Sequence, residues 1–117
     1  MTGKNITAVS MAAEIESTAA KCAGRYVADG DVCKRILNVC EVLKRIVMLN
    51  DGNLKSVDMT PGENVVICAE VPDMDLYQEG LSLFSDLLAM VDSIDIYAVS
   101  DEEVVVKVGV AGLWKAV

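Results

Sequence analysis

The clearest pattern in the chain is an apolar stripe at helical spacing between Asp31 and Leu49. Its members recur every three or four residues, the spacing that places side chains on one face of an α-helix: Val32, Ile36, Val39, Leu43 and Ile46. Less regular apolar faces of the same period run from Ser10 to Val27 and from Asp75 to Val91. The pattern therefore predicts three amphipathic helices, each with one face against a core.

The second half of the chain also carries the pattern of β-strands. Residues 65–71 are rich in β-branched side chains and bounded by turn residues, and valine occupies every second position of 104–110. These features predict two strands, the second in a hairpin with 94–99. A short strand is predicted at 54–59, and a possible last one at 113–117. The order ααββαββ(β) indicates an α+β fold, a small two-layer structure whose sheet is antiparallel or mixed, with the helices packed on one face.

Composition adds that the core of this fold must be aliphatic. The length of 117 residues is typical of one domain, so we expect residues 1–117 to form a single one. Hydrophobic residues make up 53% of the chain but aromatic residues only 4%. No apolar run reaches the ~18 residues of a membrane span, and the N-terminus lacks the basic start and apolar run of a signal peptide. The sequence predicts a cytoplasmic protein that does not contact a membrane.

The net charge of −8 is distributed unevenly. Residues 1–57 contain eight lysines and arginines against six acidic residues, whereas residues 58–117 contain two against twelve. Nucleic-acid binding requires clustered basic residues that neutralise phosphates. An acidic second half opposes such binding, so we expect no nucleic-acid partner.

The residue types present offer little catalytic chemistry. The chain has no histidine, which removes the commonest general base and the commonest neutral metal ligand. Its four cysteines contain no C-x-x-C pair, and Cys33 and Cys40 are separated by ~10 Å of helical rise, too far to share one zinc ion. We expect free thiols, no metal, no cofactor and no catalytic residue; the pattern favours a protein without enzymatic activity but leaves that question open.

The apolar side chains outnumber what one layer of helices covers. Leu37 and Met48 fall on the polar side of the second helix, and Val66, Val99 and Val105 on the second face of the sheet. Contiguous exposed apolar surface marks interaction sites, and a symmetric dimer is the commonest way to cover it. The first hypothesis is therefore an interaction or assembly module, a homodimer, whose candidate interface residues are Leu37, Met48, Val66, Tyr97, Val99, Val105 and Trp114. Trp114 has an alternative role, covering the sheet edge.

A second hypothesis assigns the chain to small-molecule-binding domains or minor enzymes. If the strands neighbour one another, Glu70, Asp95 and Lys107 converge beside Tyr97. These residues are then the candidates for lining a pocket between the helices and the sheet. A third hypothesis is an acidic protein that imitates a nucleic acid through the carboxylates of residues 70–103.

Overall fold

The chain folds into a layer of helices on one face of an antiparallel sheet, which confirms the predicted α+β class. The computed structural model describes residues 7–22, 24–72 and 78–117. Its elements in chain order are α1 (Ala8–Lys21), β1 (Tyr26–Ala28), α2 (Gly30–Leu49), β2 (Asn53–Asp58), β3 (Val65–Val71), α3 (Gln78–Met90), β4 (Ser93–Ser100), β5 (Glu103–Val110) and β6 (Trp114–Ala116). Four strands form the main sheet in the order β2-β3-β5-β4, and β1 pairs with β6 in a two-stranded sheet.

The two central strands, β3 and β5, supply the sheet side of the core. Every second residue of β3 is buried, and β5 contributes the valines that the alternation predicted: Val65, Ile67, Ala69, Val71, Val106, Val108 and Val110. All pairs in the main sheet are antiparallel. Because side chains alternate across a strand, burial of this set against the helices leaves its neighbours on the opposite face.

Helix α2 supplies the other side of that core. Four members of the predicted stripe are completely buried: Ile36, Val39, Leu43 and Ile46. The helix packs against α1, α3, β2 and β3. It begins at Asp29, whose Oδ1 accepts hydrogen bonds from the backbone N–H groups of Asp31 (2.9 Å) and Val32 (3.0 Å).

The first helix is shorter than the pattern predicted. Instead of continuing to Val27 it ends at Lys21, and Gly24 follows with φ +79°, a left-handed conformation that does not continue a helix. Residues 26–28 then pair with β6, nearly ninety positions away along the chain. Asp29 secures this pairing, since its N–H donates to the Leu113 carbonyl (2.7 Å) and its carboxylate contacts Lys115 Nζ (2.7 Å). A strand of three residues with so distant a partner leaves no local signal.

A polar cluster fixes the start of β4. The carboxylate of Asp92, in the two-residue link after α3, accepts from the Ala111 N–H (2.7 Å) and lies 3.7 Å from Arg35 Nη2. Arg35 also donates to the Ala111 carbonyl (3.2 Å), so α2, the start of β4 and the end of β5 are held together. The predicted start of α3 at Asp75 lies outside the described residues.

Two glycines make a matched test of this packing. A Cβ at Gly52 would overlap the carbonyl oxygen of Glu70 and the side chain of Val71, whereas a Cβ at Gly30 meets nothing within 4 Å. We expect Gly52→Ala to lower the free energy of unfolding by about 1–3 kcal/mol. Gly30→Ala, at the start of α2, should leave it unchanged or raise it by about 0.4–1 kcal/mol. Urea unfolding measures both, and equal stability of the two variants would contradict the close approach at Gly52.

Candidate functional site

The face of the main sheet opposite the helices brings most of the candidate residues together. Across β3, β5 and β4, Glu70 lies opposite Val105 and Val105 opposite Tyr97. In the next row Cys68 lies opposite Lys107 and Lys107 opposite Asp95. The structure therefore makes neighbours of the strands that carry Glu70, Asp95, Tyr97 and Lys107, the condition on which their convergence depended. We call this surface the open face.

The centre of the open face is a shallow depression of about 570 Å³. All four strands contribute to its lining: Lys55, Ser56, Asp58, Val66, Cys68, Glu70, Tyr97, Val105 and Lys107. Two of the three pocket candidates, Glu70 and Lys107, thus line this depression, and Asp95 lies opposite Lys107 at its border. The candidates occupy the open face and not a cleft between the helices and the sheet, because residues at even positions of β3 point away from α2.

Glu70 belongs to a cluster that the sequence analysis did not find. Lys55 Nζ donates to the Glu70 carboxylate, and Glu103, at the start of β5, shares a hydrogen bond with the same group. The Lys55 contact, followed by the Glu103 hydrogen bond, lowers the pKa of Glu70. The hydrogen bond and charge of Glu70 raise the pKa of Glu103. Of these two neighbouring carboxyl groups, Glu103 is therefore the one that binds a proton more readily as the pH falls.

Irregularities of the local structure explain why Lys55 and Glu103 are not among the residues predicted from the sequence. The pairing of β2 with β3 shifts register between Leu54 and Ser56, so Lys55 is the extra residue of a bulge and strict alternation fails there. Glu103 was assigned to a turn, whereas β5 begins with it. The sequence offers one indication of this cluster, which is that oppositely charged residues lie on strands that pair with each other. That indication can be used only when the strand order is known.

Lys107 forms a second, separate cluster with Tyr97. Its Nζ lies 5.8 Å from the centre of the Tyr97 ring, within cation–π range. Asp95 is directly opposite Lys107 on β4. Val105, between Glu70 and Tyr97, divides the expected acid–base cluster into two halves, each with opposite charges close together. The geometry of both halves is that of cross-strand pairs.

The candidate interface residues fall into three groups. Met48 (63% exposed) and Val99 (57%) are exposed, and so is Tyr97. Leu37 and Val66 are half-buried, Leu37 packing against the core. Val105 (7%) and Trp114 (9%) are buried within the subunit, so their prediction as exposed interface residues is wrong. Val105 lies on a central strand between larger neighbours, and Trp114, on the strand that pairs with β1, belongs to the buried core.

Apolar side chains are exposed at the β4 edge and on the neighbouring helix α3. Ile94 packs against the core, but Ile96, on the same helix-facing side, is 43% exposed. Leu81 and Leu88, seven residues apart on α3, are exposed as well. These residues are uncovered because β4 is an edge strand, a position that depends on the strand order and not on local pattern.

In residues 7–22, 24–72 and 78–117 no three or more acidic or cysteine side chains are grouped as metal ligands. The cysteines are free thiols; Cys22 and Cys40 are buried, and burial raises the pKa of the Cys40 thiol. Cys33 and Cys68 are half-buried. None of the described helices has the length and apolar character needed to cross a membrane.

Comparison of the chain with protein-family models, with curated proteins and with solved structures finds no match.

The raised pKa of Glu103 beside Glu70 predicts a dependence of stability on pH. A raised pKa means that the folded state favours protonated Glu103, so this stabilisation is complete below the ordinary value of 4.5 and is lost as the pH rises through the folded-state pKa. Glu103→Gln keeps a hydrogen-bond donor without a charge. We expect it to raise the melting temperature at neutral pH, with the gain shrinking to nothing at acidic pH.

Glu102→Gln, one residue earlier in the turn, is the matched control, because it removes the same charge from a residue outside the cluster of Lys55, Glu70 and Glu103. Thermal melts of both variants across the acidic to neutral range measure the effect. A Glu103→Gln gain that is the same at every pH, or that Glu102→Gln reproduces, would contradict the raised pKa of Glu103.

Proposed function

We propose that this protein is a cytoplasmic assembly module that associates with a second copy of itself and performs no catalysis of its own. The observation that carries the proposal is the exposure of β4. This strand of eight residues pairs only with β5 among the described strands, and its Ile96, Tyr97 and Val99 are all exposed. Apolar side chains on both faces of an unpaired edge are a surface that association would cover.

The two edges of the main sheet differ in a way that supports this proposal. Soluble proteins protect edge strands with lysines, bulges or prolines, because the free N–H and C=O groups otherwise pair with another chain. Edge strand β2 has such protection, since its bulge presents Lys55. Edge strand β4 contains no lysine and no proline, carries Asp95 as its one charged side chain, and shifts register only near its end.

A second copy fits this surface better than a nucleic acid does. The open face carries the carboxylates of Glu70, Glu103 and Asp95 beside its two lysines, so it presents no basic stripe to phosphates. Symmetric two-fold contacts are also the commonest solution among oligomers. The net charge of −8 opposes the approach of two copies at long range, and dissolved salt screens that repulsion.

Substitutions of two exposed valines, Val99 and Val9, test whether the protein associates. We expect the protein to be a dimer at about 50 μM, a concentration that detects any micromolar association. Val99→Asp should raise the dissociation constant about tenfold or more, because a carboxylate would become buried without a partner. Val9→Asp, on α1 at 81% exposure, should leave it unchanged. Light scattering after gel filtration, with native mass spectrometry, measures the subunit number.

The dependence of the dissociation constant on salt concentration is a second test of association. Association should strengthen as ionic strength rises from about 0.05 to about 0.5 M, since like net charges are being screened. A monomer at every concentration and salt level would overturn the proposal, as would equal effects of Val99→Asp and Val9→Asp. A dimer that dissociates in salt would contradict the apolar basis of the contact.

A second candidate function rests on the depression of the open face. A cavity of about 570 Å³ is within the size of small-molecule sites, and this one offers Lys107, Glu70 and Tyr97 as polar groups around Val66 and Val105. A thermal-shift screen with amino acids, dicarboxylates and nucleotides tests it. A stabilising compound should lose its effect with Lys107→Gln and keep it with Lys34→Gln on α2; a screen without stabilising compounds would count against this function.

A further inference from the structure

We infer that two copies of the chain join edge to edge, β4 against the second copy's β4, with Ile96 opposite the second copy's Ile96. This pairing would run antiparallel and extend the main sheet across both subunits. The inference rests on the proposed self-association and adds the surface and the register.

The free edge of β4 is regular over most of its length. Its pairing with β5 is continuous from Ser93 to Ala98, and the register shifts only between Ala98 and Ser100. Over such a stretch alternate N–H and C=O groups point away from β5, and in the described part of the chain no other strand receives them. A partner strand could therefore form regular backbone hydrogen bonds with residues 93–98.

Parity restricts the registers that a symmetric pair can use. Directly opposite residues must lie on the same side of the sheet, so the two-fold axis passes beside a residue that faces its own copy. An axis at Asp95 sets two carboxylates against each other, which is destabilising. An axis at Tyr97 pairs Ile94 with the second copy's Ser100, beyond the register shift. An axis at Ile96 keeps five opposed positions, 94–98, within the regular stretch and sets Val99 opposite the second copy's Ser93 at each end of the seam.

The Ile96 register also balances the charges along the seam. It places Asp95 opposite the second copy's Tyr97, whose ring already carries the Lys107 ammonium of that copy. Within its own subunit Asp95 faces Lys107. Two carboxylates and two ammonium groups thus alternate across the two-fold axis with no like charges directly opposite, and this complementarity selects a second copy as the occupant.

The same register covers the exposed apolar groups on the helix side. Ile96 meets its own copy there, and Ile94 faces the second copy's Ala98. Leu88 lies in the last turn of α3, which a two-residue link joins to β4, so it is close to the seam. Leu81 continues this exposed row of α3 two turns away. The pairing brings the two α3 rows toward each other on one side of the extended sheet.

Cysteine cross-linking tests the register. Residues directly opposite in antiparallel strands have Cα atoms about 4.5–5.5 Å apart, within the span of a disulfide. Ile96→Cys should form a disulfide-linked dimer on mild oxidation, whereas Ile94→Cys, on the same strand and side, should give about tenfold less, because the two copies of residue 94 lie four residues apart along the seam. Ala98→Cys alone should behave like Ile94→Cys, but a mixture of the two variants should cross-link.

The wild-type chain, oxidised in parallel, gives the background from the native cysteines, and melting curves of each variant show that it folds. Cys68 supplies an independent readout, because it lies on the open face two strands from the seam. Its alkylation rate, followed by peptide mass spectrometry, should be the same in monomer and dimer. A face-to-face dimer would slow it at least about tenfold, since buried thiols are inert.

The outcomes separate the two proposals. Cross-linking of Ile96→Cys and of the mixed variants, with Cys68 equally reactive in both states, supports the edge-to-edge seam. A dimer in solution without the Ile96→Cys cross-link, or with Cys68 protected, overturns the seam and leaves the assembly function standing. A protein that is monomeric at every concentration overturns both.

Discussion

The core that α2 shares with the buried side chains of β3 and β5 is the constraint on which the rest of the molecule depends. Ile36, Leu43 and Ile46 are completely buried in it, and each such side chain contributes about 1.5–3 kcal/mol of burial free energy. Helices α1 and α3 both pack against α2, which itself contacts β2 and β3. This layer covers one face of the sheet and leaves the opposite face and the β4 edge to be stabilised in another way.

The two uncovered regions, the open face and the β4 edge, differ in how many polar contacts their side chains make. On the open face, Lys55, Glu70 and Glu103 form one charged cluster and Lys107, Tyr97 and Asp95 another, so polar contacts occupy most of the surface around Val105. At the β4 edge, by contrast, Ile96 and Val99 remain exposed and the charge is sparse. The difference between a surface satisfied by its own cross-strand contacts and one that is not is the basis for assigning self-association to β4.

Much of the fold was predictable because the spacing of apolar residues along the chain indicates which segments form helices and which form strands. The α2 stripe, the strand at Val65–Val71 and the alternating valines of β5 all appear where the pattern placed them. The candidate site was predictable in part: alternation correctly assigned Val66, Cys68 and Glu70 to one face. It failed at Lys55, where a bulge interrupts the period, and at Tyr26–Ala28, where a distant strand outweighs the helical propensity of the segment.

The sequence by itself determined the apolar faces of α2, β3 and β5, the order of the elements other than β1, and the acidic balance of the second half, because these properties can be read along the chain without knowing which strands are neighbours. The tertiary structure alone decided that β4 is an edge, that Glu70 binds Lys55 and Glu103, and that Trp114 turns inward. Each of these depends on which strands are neighbours. Which strands become neighbours depends on how the whole core packs around α2. No short stretch of the chain determines that packing.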